Sequence, residues 1–487
     1  MSIQELTAEI RNFLPSVVYM KKNNRSVTRR RFLKTAACAA IAGPAIIGSV
    51  ASAAGPGEVS HPSKDTDIPQ TPFKKLRHAC IGVGGMGGHD LKNFIEHQQT
   101  EIVAICDIDD NNLKKAAALV PGARTYTDWR ELLEKEKNNI DSVNVTVPDH
   151  NHFVIAMKAI DAGKHVYLQK PMCHDVAEVR ALTEASIRKK VITQLGTHHA
   201  SGVGDRTAVQ WIKDGAIGKI KHVYLCSNRP GAVATYRKVG PRPAEGQQPP
   251  ANINWDLWIG TAPMRPYVPG IYHPAIWRSW LDFGTGWSGD IGCHIFDAVW
   301  KGLGLTAPTS VVAEVQQSWK ESPVRRTDTW PQGDHITWQF PGNDMTESGS
   351  LTVEWFDGEF YPPENIRALY SIEKYPAESA MLIGTKGALL IPHTEMPVLL
   401  PQANFSTVAT PALEKRNHYH HFADACLGAA KTESHFAQSG PMTEAILLGT
   451  IAIRVAGTRL EWDAKTMKFP NHPEAEKYLR RTYRKGW

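Results

Sequence analysis

The sequence predicts an α/β protein whose first domain is a doubly wound parallel sheet, and three observations predict it. An apolar strand over 76–82 runs into the glycine turn Gly82-Val83-Gly84-Gly85-Met86-Gly87, and a helix follows over 89–97. A second strand, 101–106, ends on a carboxylate, Asp107, twenty residues after Gly87. The alternation continues with a helix at 128–136, a strand at 142–146, a helix at 152–162 and strands at 165–168 and 191–195. Strands alternating with helices at this spacing build a parallel sheet covered on both faces.

The turn has a specific chemistry. Glycines allow the tight bend and let the backbone approach a pyrophosphate, which then sits on the helix N-terminus. Gly82, Gly84, Gly85, Met86 and Gly87 are therefore candidate cofactor contacts, and Asp107 stands where an acid hydrogen-bonds ribose hydroxyls. Ile108-Asp109-Asp110 offers no cation for a 2′-phosphate, so NAD is favoured over NADP. Ligands of such sheets bind at the carboxyl ends of the strands. Two loops lie there, Val147-Pro148-Asp149-His150-Asn151-His152 and Gln169-Lys170-Pro171.

Ahead of this domain stands Thr28-Arg29-Arg30-Arg31-Phe32-Leu33-Lys34, then an uncharged run over 35–50 and a small-x-small site, Ala51-Ser52-Ala53. These read as a cleaved twin-arginine signal peptide over 1–53, with a Gly/Pro/Ser/Asp-rich linker over 54–72. The other reading is a membrane anchor, but two glycines and a proline interrupt a run that is short for a span of roughly 20 residues. Twin-arginine export carries folded proteins, so a cofactor can be loaded in the cytoplasm and carried across to the periplasm. Soluble NAD(H) is scarce outside. An exported nicotinamide enzyme keeps its cofactor and regenerates it within each turnover, or hands electrons to a partner.

The address also holds the basic excess. The chain has 55 Lys/Arg and 49 Asp/Glu, and residues 1–34 carry eight of the former and two of the latter. The remainder is formally neutral and leaves no basic footprint for nucleic acid. The six cysteines of the mature chain (Cys80, Cys106, Cys173, Cys226, Cys293, Cys426) form no C-x-x-C pair, which predicts free, mostly buried thiols without disulfides or structural zinc. Roughly 415 residues after the linker are too many for one small core, so two domains are expected.

Lys170 follows an apolar strand and precedes a proline, which keeps it out of the helix and at the ligand edge of the sheet. It is a candidate cationic donor to a substrate hydroxyl; an ordinary solvated turn lysine is the plain alternative. Asp290-Ile291-Gly292-Cys293-His294 is the second constellation. On a helix, positions i and i+4 share a face, so a histidine able to take a hydroxyl proton and a carboxylate able to orient it project together. Between Asn254 and Trp287 lie eight Trp, Tyr and Phe residues together with His273 and Arg278. Aromatic faces suit a pyranose, which makes Trp277, Arg278 and Trp287 candidate substrate contacts, although core packing accounts for many such residues. His198-His199 and His418, His420 and His421 are histidine clusters. His199 is taken as a substrate contact, and no metal is expected.

Together Gly82-x-Gly84-x-x-Gly87, Asp107, Pro148-Asp149-His150-Asn151-His152, Lys170-Pro171 and Asp290-x-x-x-His294 resemble the glucose–fructose oxidoreductase/inositol dehydrogenase (Gfo/Idh/MocA) family, from residue 73 to the C-terminal Trp487. The resemblance implies a Rossmann domain over 73–196. It implies after it, over 197–487, an α/β substrate and oligomerisation domain with a large open, mostly antiparallel sheet, and so a homo-oligomer. It implies that Lys170 binds and polarises the reacting hydroxyl, that His294 is the acid/base, that Asp290 assists, and that Pro148 and His152 lie in the cofactor site, His152 near the nicotinamide. The family's usual Glu-Lys-Pro is Gln169-Lys170-Pro171 here, which removes a possible charge partner of Lys170. The aromatic stretch and the tail look like the exported subgroup. The expected activity is hydride transfer between a sugar or glycoside carbon and tightly held NAD. The alternatives are glycoside cleavage by transient oxidation and elimination, and non-catalytic sugar binding.

Overall fold

The computed structural model describes residues 75–487 apart from 230–235, 237 and 372. The export address and all of the linker lie outside the described residues. In the first domain β1 (Leu76–Ile81), α1 (Met86–Glu96), β2 (Thr100–Cys106), α2 (Asp110–Ala117), β3 (Arg124–Tyr126), α3 (Trp129–Lys135), β4 (Ser142–Val145), α4 (His152–Asp161), β5 (His165–Leu168), α5 (Val176–Lys189) and β6 (Thr193–Leu195) follow one another. The sheet is parallel throughout, in the order β3-β2-β1-β4-β5-β6. Every residue of β4 is buried, as a central strand covered on both faces requires. Strand order reverses between β1 and β4, and the crevice above their carboxyl ends is the ligand edge.

Helix α1 starts three residues before the sequence pattern placed it, because Gly87 and Gly88 hide the helical periodicity. Gly82 turns with φ +82° and Gly87 lies inside α1, where a Cβ would stand 2.0 Å from the Gly82 carbonyl oxygen. Only glycine lets the helix start this close to the end of β1.

After α6 (Val203–Lys213) comes the second sheet: β7 (Ile220–Ser227), β8 (Ser310–Val315), β9 (Asp334–Pro341), β10 (Ser350–Asp357), β11 (Glu378–Gly384), β12 (Ala388–Pro392), β13 (Val398–Leu400) and β14 (Leu460–Glu461). Its order is β13-β12-β11-β7-β10-β9-β8-β14, with β7/β10 the parallel pair and the other neighbours antiparallel. Four helices of this half bear on the ligand edge or its support: α7 (Trp255–Ile259), α8 (Gly286–Leu303), α9 (His418–Cys426) and α10 (Phe436–Arg454).

Alternation along the strands sends Val223, Leu225, Ile336, Trp338, Val353 and Trp355 into one core with α8 and α10. Trp338 also donates its Nε1–H to the Ala445 carbonyl of α10 at 2.8 Å, and truncating such a ring costs about 3–5 kcal/mol. The two domains are joined by packing as well as by chain. Helix α10 lies against α5, and Tyr419 and Phe422 of α9 share a core with Phe94 and Tyr167 of the first domain.

Candidate active site

Lys170 leaves the carboxyl end of β5 and reaches across to α8. Its Nζ lies 2.5 Å from Asp290 Oδ1 and 3.2 Å from the Asp290 carbonyl oxygen. Arg278 Nε approaches the other carboxylate oxygen, Oδ2, at 3.3 Å. Burial raises the pKa of a carboxyl, but here the Lys170 and Arg278 cations outweigh it and hold Asp290 below the usual range. Asp149, from the loop after β4, is the reverse case. Fully buried and facing Asp290, its carboxyl is pushed well up, with Arg278, Lys170 and the Thr285 hydroxyl (3.3 Å) opposing the shift. The two neighbouring acids are thus driven in opposite directions, Asp290 toward the ionised form and Asp149 toward the protonated one, a division that low-dielectric sites impose on adjacent acids.

His294 lies one turn beyond Asp290 on the same face of α8. Burial comes first in lowering its pKa, then Lys170 and the rings of His393, His198 and His199, so the imidazole is neutral and able to accept a proton. His199, from the turn after β6, and His393, at the end of β12, complete a cluster. Ring centroids are 4.6 Å apart for His199–His393, 5.3 Å for His294–His393 and 6.3 Å for His199–His294. Among the described residues no three His, Cys, Asp or Glu side chains are arranged to hold a metal ion.

Behind Lys170, Gln169 donates from Nε2 to both oxygens of Asp90 at 3.1 Å and accepts the Lys170 N–H at 3.3 Å. Asp90 is buried on α1 and also accepts from the Thr146 hydroxyl and from Tyr419, both at 2.6 Å. A carboxylate is therefore present beside β5, supplied by α1 rather than by residue 169. Tyr419 also meets His198 at 2.8 Å, which engages that histidine in the same network.

Several residues named from sequence occupy other roles. Trp277 and Trp287 are only 4% and 5% exposed, so neither is an open sugar platform. Trp277 packs in an aromatic core with Trp255, Trp258, Tyr272, Trp280 and Phe283 and supports Arg278, whose guanidinium lies 4.2 Å over its ring. Trp287 donates to Ser227 and packs on Tyr236. His152 is completely buried, with Nδ1 2.7 Å from the Pro171 carbonyl and Nε2 2.8 Å from that of Val147, so it ties the two ligand-edge loops together. Arg278, expected to face substrate, pairs with Asp290.

The residues present fit a dinucleotide. Helix α1 begins at Gly85 with no side-chain cap and no acid in its first turn, leaving the positive end of the helix to an anion, and Met86 beside it is 42% exposed. Asp107 accepts from the Val83 and Gly84 amides at 2.9 and 3.0 Å and from Asp109 N–H at 2.9 Å. These bonds hold the carboxyl at the end of β2 beside the glycine turn, where an acid meets ribose in such folds. Pro148 caps the turn at Asp149–Asn151, within the loop that frames the crevice. A strap from the second domain closes over the loop after β2. Asn252 Nδ2 donates to Asp109 Oδ1 at 2.7 Å, Asp110 N–H donates to the Asn252 carbonyl at 2.8 Å, and Asn254 N–H donates to the Ile108 carbonyl at 2.9 Å. A cavity of about 790 Å³ runs along the edge strand β3, at the far side of the sheet from Lys170, between Tyr126, Arg130 and Asp256.

Asp149, His393, Asp90 and the strap were not singled out from sequence. Asp149 sat unremarked inside a motif already read, whereas His393 has no local signal and reaches the site only through strand order.

A dinucleotide turn, a lysine–aspartate pair and a neutral histidine at one sheet edge define the nicotinamide-dependent oxidoreductase class. The "Oxidoreductase family, NAD-binding Rossmann fold" (GFO_IDH_MocA) matches residues 76–197, and its "C-terminal alpha/beta domain" matches 206–337. The chain belongs to the Gfo/Idh/MocA oxidoreductase family, and its first domain is that family's NAD-binding domain. It is similar to the myo-inositol 2-dehydrogenase of Thermotoga maritima, 25% identical over 195 residues, 40% of this chain and 55% of that one. It is similar also to glycosyl hydrolase family 109 protein 2 of Bacteroides fragilis, 26% identical over 160 residues, 31% of this chain and 37% of that one. The chain thus spans about a third to a half of the length of these curated relatives. In fold it resembles the WlbA dehydrogenase of Bordetella pertussis, solved with NADH and UDP-GlcNAcA, with TM-score 0.55 and 17% identity over 80% of this chain and 99% of that one.

Proposed function

We propose that the protein is an exported sugar oxidoreductase that moves hydride between a hydroxyl-bearing carbon of a pyranose or glycoside and an NAD it retains. The observation that carries this reading is the 2.5 Å Lys170–Asp290 pair with His294 on the same face of α8. Lys170, fixed by Asp290, donates a hydrogen bond to the reacting hydroxyl, and His294 accepts its proton as the C–H bond breaks. NAD, when bound, supplies the hydride acceptor. Gly82–Gly87 and Asp107 would hold it, and the strap at 252–254 supports retention. The family and the inositol and glycosidase relatives support a polyol or sugar substrate. The signal motif at 28–34 supports twin-arginine export to the periplasm, and the open sheet supports a homo-oligomer. No helix among the described residues is long and apolar enough to cross a membrane.

A second reading, cleavage of a glycoside by transient oxidation and elimination, is favoured by the family 109 relative. One experiment separates them. The exported protein is purified without added nucleotide, a sample is denatured, and released NAD is identified by mass spectrometry. The remainder is incubated with a glycoside panel while NADH absorbance and free aglycone are followed. Retained NAD that is reduced by a sugar supports the oxidoreductase, and aglycone release without added NAD supports the cleavage route. No retained nucleotide would sink the closed cycle, and no reduction by any sugar would leave a binding protein.

A further inference from the structure

Hydride transfer needs one base, yet three imidazoles meet at this site. His294 Nδ1 is sealed from solvent and has no hydrogen-bond partner, so a proton reaching that nitrogen has no direct way out. His393 lies against it at 5.3 Å between ring centroids, and His199 lies against His393 at 4.6 Å. His199 in turn lines a cavity of about 430 Å³ with Gly202, Asp205, Glu395 and Arg416. The three rings therefore run from the reacting centre to that cavity.

Resting on the oxidoreductase reading, we propose that His393 and His199 form a proton relay that drains His294 into this cavity and refills it on the return step. In the oxidative step the carbinol C–H bond breaks and its electron pair leaves as hydride to bound NAD⁺. The O–H bond breaks, its proton goes to His294, and a C=O bond forms. His294 passes the proton to His393, His393 to His199, and His199 to water, through ring reorientation or a bridging water. All three imidazoles end neutral, and reduction of a second carbonyl runs the sequence backwards.

The electrostatics favour this direction. His294 faces Lys170, His198, His199 and His393; His393 faces Lys170, Arg229 and His199. His294 is held well below its ordinary value, His393 is lowered to about 4, chiefly by burial, and His199 is lowered by partial burial alone. The Lys170 cation thus bears on His294 and His393 but not on His199, so charge repulsion disfavours a proton on the two inner rings and not on the outer one.

The test uses nucleotide-loaded enzyme with Cε1-labelled histidine, comparing wild type with His393→Gln and, in case that variant folds poorly, His199→Gln. The first readout needs no turnover. At neutral pH, removing His393 is expected to shift the Cε1 resonance of His294, against which its ring lies at 5.3 Å, and an unmoved resonance overturns the relay. The second readout follows NADH absorbance and an indicator dye together in weak buffer. In His393→Gln, NADH formation is expected to stay within about threefold while proton release and turnover slow about tenfold, with rescue by added imidazole. Equal loss of both signals without rescue assigns His393 a packing role and overturns the proposal. Failure of every sugar to reduce the bound NAD refutes the oxidoreductase reading, while the His294 resonance still decides the contact of the rings.

Discussion

Lys170 and Asp290, 120 positions apart in sequence, meet at 2.5 Å in a nearly dry site, with Arg278 on the carboxylate's other oxygen. Asp290 therefore answers the charge question raised by Gln169. The lysine has a carboxylate partner, supplied by α8 instead of by its own strand. Because the carboxylate serves two cations, its loss and the loss of the lysine are different events.

Asp290→Asn strips Lys170 and Arg278 of the carboxylate that pairs them and leaves Asp149 as the neighbouring acid, whereas Lys170→Met leaves Asp290 still paired to Arg278. Both variants are expected to slow reduction of bound NAD by about 10²- to 10⁴-fold. Only Asp290→Asn is expected to cost about 3–5 kcal/mol of stability. Single-turnover absorbance and urea midpoints read the two effects. Equal destabilisation by both variants would show that Arg278 does not share the carboxylate.

Acid stability follows from histidines kept neutral by burial. His78, His150 and His198 are lowered to about 3, and His152, His165 and His393 to about 4. Their unfolded value is about 6.5. Below it the unfolded chain binds protons that the native state refuses, so stability rises with pH across this window and falls on acidification. Each such group contributes about 1.4 kcal/mol per pH unit between about 6.5 and its native value. Denaturation midpoints measured from pH 7 to pH 4 are expected to drop steeply. A flat profile would mean that these rings are protonated in the native state.

The first domain was legible because its signals are local. The glycine turn, the acid twenty residues on and the strand–helix alternation each sit within one βα unit, and the order of elements follows from them. Lys170, Asp290 and His294 were legible as separate motifs, since proline and helical spacing fix their immediate geometry. Their joint arrangement was not. Arg278 reaches Asp290, and His393 reaches His294, only through packing of α8 against the second sheet, which no spacing encodes. The aromatic run misled for a related reason. Composition marks Trp277 and Trp287 as ring-bearing, but whether a ring faces a ligand or another ring depends on tertiary burial.

Gly87→Ala tests the turn without touching a charged group. Its Cβ would lie 2.0 Å from the Gly82 carbonyl, so α1 must move away from β1. The variant is expected to lose retained NAD and to unfold at lower denaturant, by about 1–3 kcal/mol as for other overpacked sites. Nucleotide retained at the wild-type level would place the pyrophosphate elsewhere.

The strap makes retention separable from folding. Asn252→Ala removes the 2.7 Å bond to Asp109 at a partly exposed position, and the backbone bonds of Asp110 and Asn254 remain. Stability is expected to change by no more than about 1 kcal/mol. NAD release during gel filtration should accelerate several-fold, as read by mass spectrometry of the protein peak. Unchanged release would remove the strap from the retention argument.

Restoring the family's usual acid at residue 169 is expected to harm this protein. Gln169 donates to both oxygens of Asp90 at 3.1 Å, and a glutamate there would set a second carboxyl against a carboxyl that burial already pushes up. One of the two must then be protonated, or the pair must separate and release its hold on the Lys170 N–H. Gln169→Glu should therefore cost about 1–3 kcal/mol and slow hydride transfer. Asp90→Asn should lose the acceptor that Gln169 uses. The double variant exchanges the two chemistries, glutamate at 169 accepting from asparagine at 90, and should recover most of both losses. Such recovery is a coupling of opposite sign to the single effects, measurable by a double-mutant cycle on urea midpoints. Simple additivity would mean that Asp90 and residue 169 act independently, and that the carboxylate on α1 does not stand in for the one missing from β5.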